Sequence, residues 1–149
     1  MVRTLVVDIG GSKLSWGLVI DGVLHAHERI QVLPGADAAW IREQLHTVLT
    51  NSAYEAEVCG VSFGGAFDFD QQRCRRSFHV EGWEDFPLSE WLADVVGVPV
   101  VTDNDANVAA IGEFHTLEDS SASSLLYVTI STGVGTGFGL DRKGGRGDH

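Results

Sequence analysis

Three apolar segments of the sequence each run into a cluster of glycines, and this pattern constrains the fold more than any other feature. The clusters lie at residues 10–11, 64–65 and 133–139. Glycine accounts for 18 of the 149 residues, well above an average usage of about 7%. Because glycine permits sharp turns and close approach of the backbone to a ligand, the pattern predicts strands that end in functional loops.

The distribution of apolar residues predicts an α/β order of elements. Strands are predicted over residues 2–9, 14–20, 23–30, 58–62, 98–102, 125–130 and 137–140, and helices over 36–50, 88–96 and 105–115. An Asp-Gly pair at residues 21–22 indicates a hairpin between the second and third strands. The stretch from residue 66 to 86 is predicted to be irregular.

The charge balance excludes several classes of partner. The chain has 10 Lys and Arg against 21 Asp and Glu, for a net charge of −11. A nucleic-acid binder needs a basic patch to neutralise phosphates, and an anionic membrane surface is equally disfavoured.

The sequence has no run of about 18 apolar residues and no apolar leader. We therefore expect a cytoplasmic protein with no nucleic-acid or membrane partner, although glycine-loop amides could still hold a nucleotide.

The two cysteines predict neither a disulfide framework nor a zinc site. Cys59 and Cys74 form no CxxC pair and no Cys/His cluster with zinc spacing. Free thiols and no bound zinc are the expectation.

The first glycine turn follows a strand that ends in a carboxylate. Asp8 precedes the turn of Gly10, Gly11 and Ser12. The next segment is predicted to be a strand, whereas a Rossmann dinucleotide site requires a helix there, so that reading is excluded. The turn could approach phosphate oxygens, with Asp8 holding a metal ion through water. The alternative is an ordinary glycine hairpin with a surface carboxylate.

A second strand, turn and strand occurs at residues 125–140. Its turn contains Thr132, Gly133, Gly135 and Gly137. Two such turns are what a phosphate clamp closing from two lobes would need, because backbone amides can replace water around the phosphate charge.

Polar residues 103–107 separate a predicted strand from a predicted helix. In this segment Asp105 could accept a proton from a hydroxyl group that Asn104 orients. The alternative is helix N-capping, for which Asp and Asn are both preferred.

Six segments resemble, in order and spacing, the N-terminal half of ROK-family sugar kinases such as bacterial glucokinases. They are residues 8–13, 60–65, 81–88, 97–100, 104–113 and 131–139. The resemblance implies the two-lobed α/β fold of the actin, hexokinase and Hsp70 class, a ribonuclease H-like lobe with a mixed sheet and flanking helices. We expect a nearly complete first lobe over residues 1–117. Residues 118–149 would hold the first hairpin of a truncated second lobe and a glycine-rich tail.

The resemblance also implies roles for individual residues. Asp105 would be the catalytic general base, Asn104 would bind the sugar hydroxyls, and Gly65 would lie against the sugar ring. The nucleotide phosphates would be bound by a first loop of Asp8, Gly10, Gly11 and Ser12 and a second loop of Thr132, Gly133, Gly135 and Gly137. ATP would enter as its Mg²⁺ complex, and no residue is assigned as a metal ligand. His79 borders the sugar pocket in the family, with a surface or packing role as the alternative.

The activity implied is ATP-dependent phosphorylation of a hexose or amino-hexose. The alternative is a non-catalytic sugar-binding or regulatory lobe. Because an apolar two-stranded hairpin is marginal alone and invites a further strand, we also expect a homo-oligomer or self-association.

Overall fold

A computed structural model describes residues 1–116, 124–130, 134–140 and 143–145. The strands are β1 (Arg3–Ile9), β2 (Lys13–Ile20), β3 (Val23–Gln31), β4 (Val58–Phe63), β5 (Ala66–Asp68), β6 (Arg73–Arg76), β7 (Val100–Asn104), β8 (Ser124–Ile130), β9 (Val134–Leu140) and β10 (Lys143–Gly145). The helices are α1 (Ala38–Thr50), α2 (Leu88–Val96) and α3 (Asp105–Thr116). None of the helices within these ranges is long and apolar enough to cross a membrane. The chain divides into two compact units, Met1–Thr102 and Asp103–His149.

A five-stranded mixed sheet organises the first unit. Its strand order is β3-β2-β1-β4-β7, with β1 antiparallel to β2 and parallel to β4. At the hairpin between β2 and β3, Asp21 and Gly22 both have positive φ angles, of 48° and 82°, as a type I′ turn requires. The predicted α/β class with a mixed sheet and flanking helices is confirmed.

The core of the first unit lies where alternate strand residues meet the helices. Leu5, Val7 and Ile9 of β1 are buried, as are Ile41 and Leu45 of α1, which matches the period of two for strands and the one-sided apolar face of a helix.

Helix α1 begins two residues later than predicted. Asp37 adopts an extended conformation and its carboxylate accepts a hydrogen bond of 2.9 Å from the Trp40 N–H. This N-cap places the first helical residue at Ala38, because the capping residue itself lies outside the helix.

The prediction of an irregular segment after residue 65 is wrong in part, because β5 and β6 form a two-stranded antiparallel hairpin there. These strands have only three and four residues, too few to show a period of two in the sequence.

The second unit contains α3 and a three-stranded sheet of order β10-β9-β8, with α3 lying against those strands. Strand β9 begins at Val134 rather than at the predicted residue 137. Strand β10 pairs with β9 at residues 143–145, where the sequence predicted only a glycine-rich tail. Three residues with two glycines carry no strand signal. The lobe boundary near residue 117 stays a prediction.

Candidate functional site

Asp8 lies on the exposed face of the central strand of the sheet. Its neighbours Val7 and Ile9 are buried, while Asp8 itself is exposed. The register pairs Asp8 with Ser15 of β2 and with Ser62 of β4. Because directly paired residues point to the same face of a sheet, a serine side chain lies on each side of the carboxylate.

The turn after β1 is closed by a backbone hydrogen bond. The Gly10 N–H donates to the Lys13 carbonyl oxygen at 3.0 Å. A Cβ at residue 10 would lie only 3.1 Å from the same oxygen, closer than most real Cβ contacts. Strand β2 follows the turn directly, which confirms that this is not a Rossmann site. Gly11 and Ser12 are exposed, so their backbone can be approached by an anionic ligand.

The loop after β4 lies beside the turn after β1. The Gly64 N–H donates a hydrogen bond of 2.8 Å to the Ile9 carbonyl oxygen, so the two loops leave the same edge of the sheet. At Gly65, a Cβ would lie 2.5 Å from the Arg76 carbonyl oxygen and 3.1 Å from the Ser77 Cα. Packing against the backbone after β6 therefore requires glycine at residue 65. The proposed contact between Gly65 and a sugar ring stays a prediction.

The segment after β6 contacts both loops. The His79 Cβ lies 3.6 Å from the position that a Cβ of Gly11 would occupy, and Ser77 approaches Gly65. The Ser77 Oγ accepts a hydrogen bond of 3.2 Å from the Val80 N–H, which closes the turn. The His79 side chain is exposed. The structure thus brings together three loops of the first unit, around residues 10–12, 64–65 and 77–79.

In the second unit, Asn104 is the N-cap of α3. Its Oδ1 accepts a hydrogen bond of 2.8 Å from the Asn107 N–H. The Asp103 Oδ1 accepts hydrogen bonds from the Asn104 N–H at 2.8 Å and from the Asn107 Nδ2 at 3.3 Å. All three side chains are buried. The capping alternative is therefore confirmed for Asn104, although capping uses only the amide oxygen and leaves the Nδ2 donors for another partner.

Asp105 is exposed, unlike the residues on either side of it. It is the first residue of α3, and its Oδ1 accepts a hydrogen bond of 2.8 Å from the Ala106 N–H. One carboxylate oxygen is thus oriented by the backbone while the group as a whole is open to solvent. Such a carboxylate can accept a proton from a bound hydroxyl group.

The second phosphate loop is described only in part. Thr132 and Gly133 lie outside the described residues. Gly135 and Gly137 lie within β9, where they pair with Thr129 and Tyr127 of β8, and not in the preceding turn. The phosphate-binding role of all four loop residues stays a prediction.

Gln72 belongs to none of the motifs found in the sequence, yet its side-chain amide forms four hydrogen bonds. Its amide contacts Phe69, Ser89 and Thr102. No sequence signal could have identified it, because a glutamine in a predicted irregular segment belongs to no motif and its main partner is 30 residues away.

The chain is similar in sequence and in fold to several known proteins. Residues 4–149 match the ROK family. The N-acetylmannosamine kinase of Pasteurella multocida (strain Pm70) is 29% identical over 143 residues, which are 95% of this chain and 48% of that protein.

Two crystal structures also superpose closely. One is a ROK hexokinase from Thermus thermophilus, with 29% identity and a TM-score of 0.81 over 97% of this chain and 49% of that one. The other is a ROK family glucokinase from Streptomyces griseus in complex with glucose and AMPPNP, with 28% identity and a TM-score of 0.84 over 97% of this chain and 46% of that one. The chain spans about half the length of the relatives that it matches.

Proposed function

This chain belongs to the ROK family, and from that membership we propose that it acts in the transfer of the γ-phosphoryl group of ATP to a hydroxyl group of a hexose or amino-hexose. The substrate class combines the sugars in the names of the relatives, glucose and N-acetylmannosamine. ATP enters as its Mg²⁺ complex, which is a substrate of the reaction.

The observation that carries the proposal is the exposed carboxylate of Asp105 at the junction of β7 and α3. In the proposed reaction an Asp105 oxygen takes the proton of the sugar hydroxyl while the hydroxyl oxygen attacks the γ-phosphorus. The bond from that phosphorus to the β–γ bridging oxygen breaks, and ADP leaves. General base catalysis requires the carboxylate to be reachable by substrate and held in a defined orientation. The hydrogen bond from the Ala106 N–H meets the second requirement, and exposure meets the first.

Asn104 is proposed to bind the sugar next to the base. Its Oδ1 is held by the Asn107 N–H, so the side-chain amide has one orientation and presents Nδ2 as a donor to a sugar hydroxyl. Gly65 is proposed to lie against the sugar ring with its backbone, on the side away from the Arg76 carbonyl oxygen that fills the place of a side chain.

The glycine turns are proposed to bind the phosphates. Exposed backbone at Gly11 and Ser12 can present N–H groups to phosphate oxygens, and Asp8 is proposed to hold Mg²⁺ through water. The second loop, with Thr132, Gly133, Gly135 and Gly137, is assigned to the phosphates from the family resemblance. Phosphoryl transfer needs little covalent help from the protein, so positioning and charge stabilisation supply most of the rate.

A sugar panel tests the proposal. The purified chain is assayed for ADP release from MgATP with glucose, mannose, fructose, allose and N-acetylated amino-hexoses, and each sugar is also titrated calorimetrically without ATP. We expect turnover with one or more of these sugars. Saturable sugar binding without any turnover would instead support the non-catalytic sugar-binding alternative, and a chain that does neither would overturn both.

A further inference from the structure

The Gln72 side chain uses its full hydrogen-bonding capacity on buried or backbone partners. Its Nε2 donates to the carbonyl oxygens of Phe69, at 2.7 Å, and Thr102, at 3.1 Å. Its Oε1 accepts from the Ser89 Oγ at 2.7 Å and from the Thr102 N–H at 2.8 Å. Two donors and two acceptor positions are all that a glutamine amide has, so these four bonds assign the orientation of the amide without ambiguity.

We propose that Gln72 is a positioning residue for phosphoryl transfer: its side-chain amide pairs with both backbone groups of Thr102 and thereby holds the end of β7, the strand that leads directly into Asn104 and Asp105. This inference rests on the proposed function, since it assigns Gln72 a role through Asp105.

The Gln72 amide binds the edge of β7 in the way that a neighbouring strand would. β7 is the last strand in the sheet order, next to β4. The N–H and C=O groups of one strand residue point to the same side of the strand, and both groups of Thr102 bind the Gln72 amide. Gln72 therefore satisfies edge groups that would otherwise need a further strand or water.

A closed ring of hydrogen bonds makes the arrangement specific. The Ser89 hydroxyl has one proton, which it donates to the Gln72 Oε1, so the Thr102 hydroxyl donates to the Ser89 Oγ at 2.8 Å. The Thr102 N–H completes the ring through the same Oε1. Ser89 and Thr102 are both buried. Polar groups removed from water are costly when a partner is lost, so each member of this ring constrains the others.

The backbone of Gln72 is held in a conformation that side chains rarely adopt. Its φ angle is 55°, in the left-handed region that favours glycine and costs most other residues free energy. A residue at such a position without a special role would most often be glycine or asparagine. Glycine would avoid the strain but could not form the four side-chain hydrogen bonds that Gln72 forms.

The consequence for the reaction follows from the continuity of the chain. β7 runs without a break from Val100 through Thr102 to Asn104, and α3 begins at Asp105. Releasing Thr102 from Gln72 would loosen the strand three residues before the proposed base. Because a displacement of about 1 Å in a reacting group can lower a rate by as much as about 10²-fold, the effect should appear in kcat more than in the KM for ATP.

The adjacent residue provides a matched control. Gln71 is exposed, and only its backbone N–H takes part in the turn, through a bond of 3.1 Å to Asp68. We would compare Gln72→Ala with Gln71→Ala in the full chain by hydrogen exchange at the Thr102 amide and by steady-state kinetics. Gln72→Ala should speed Thr102 exchange about tenfold or more and lower kcat about tenfold or more, with the KM for ATP changed less than about twofold. Gln71→Ala should change neither.

A second variant, Gln72→Glu, tests the pairing if Gln72→Ala does not fold. Gln72→Glu keeps the length of the side chain and the acceptor for Ser89 and the Thr102 N–H, but places a carboxylate against the carbonyl oxygens of Phe69 and Thr102. Repulsion between the carboxylate and these carbonyl oxygens should displace the side chain from Thr102, so this variant should also speed Thr102 exchange and lower kcat. Unchanged Thr102 exchange in a folded variant would overturn the pairing, and faster exchange with unchanged kcat would overturn the positioning role. If the unmodified chain turns over no sugar, the proposed function fails and the catalytic role of Gln72 fails with it, while exchange still decides the pairing.

Discussion

The side-chain oxygen of Asn104 accepts a 2.8 Å hydrogen bond from the backbone N–H of Asn107. This bond satisfies one of the free N–H groups at the start of α3 and determines that the helix begins at Asp105. The same residue thus ends a strand, caps a helix and places the proposed catalytic carboxylate on the first turn.

The capping and sugar-binding roles of Asn104 can be separated by two substitutions. Asn104→Ala should lower the free energy of unfolding by about 0.5 to 2 kcal/mol, because the cap is lost. Asn104→Asp keeps an oxygen acceptor for the cap but removes the Nδ2 donors, so it should retain most of the stability and weaken sugar binding. Urea denaturation and calorimetric titration measure the two effects. Equal sugar affinity in Asn104→Asp and the unmodified chain would refute the binding role.

Asp105→Asn should lower turnover by about 10² to 10⁴-fold, the usual contribution of a general base. The amide has nearly the same size and can still accept the hydrogen bond from the Ala106 N–H, so the fold should be unchanged. Asp94→Asn serves as the control, because Asp94 is also an exposed helical aspartate and is assigned no role. Coupled assays measure the turnover of both variants, and circular dichroism checks that they fold. A folded Asp105→Asn variant with unchanged turnover would show that Asp105 is not the general base.

Gly65→Ala should destabilise the first unit, while Gly60→Ala should have little effect. A Cβ at residue 65 would meet the Arg76 carbonyl oxygen at 2.5 Å, whereas nothing lies within 4 Å of a Cβ at residue 60. Overpacking of this kind typically costs about 1 to 3 kcal/mol. Thermal and urea unfolding of the two variants provide the measurement. If both alanine variants unfold alike, the close packing at residue 65 does not restrict that position.

The two buried cysteines should be unreactive until the chain unfolds. Desolvation raises the pKa of the Cys59 and Cys74 thiols to about 12, and only a thiolate attacks an alkylating reagent. At pH 8 iodoacetamide should therefore label the folded chain far more slowly than the same chain in urea, as followed by mass spectrometry. Labelling at equal rates in both states would contradict the burial of these thiols.

The same raised pKa values predict a loss of stability at alkaline pH. A cysteine thiol ordinarily titrates near pH 9.0, so above that pH the unfolded chain releases protons that the folded chain retains. The contribution is fully present below about pH 9 and declines as the pH rises from 9 toward 12. Urea unfolding at a series of pH values should show this decline, and a Cys59→Ala, Cys74→Ala double variant should show a smaller one. An identical decline in the double variant would assign it to other groups.

Much of this fold follows from local sequence patterns. The alternation of apolar residues in β1 and the Asp21-Gly22 turn can be read directly, because strand period and turn chemistry depend on neighbouring residues. The order and spacing of the motifs likewise indicate the ROK family, and the segment of residues 103–107 alone is enough to predict roles for Asp105 and Asn104.

The relationships between residues far apart in the sequence emerge only in the folded chain. The requirement for glycine at residue 65 comes from the backbone near Arg76, and the role of Gln72 comes from Thr102, 30 residues further along the chain. The short strands β5 and β6 exist because they pair with each other, since neither has a pattern that predicts a strand alone. Close packing and long-range hydrogen bonds depend on which segments meet in space, and no local pattern in the sequence records that.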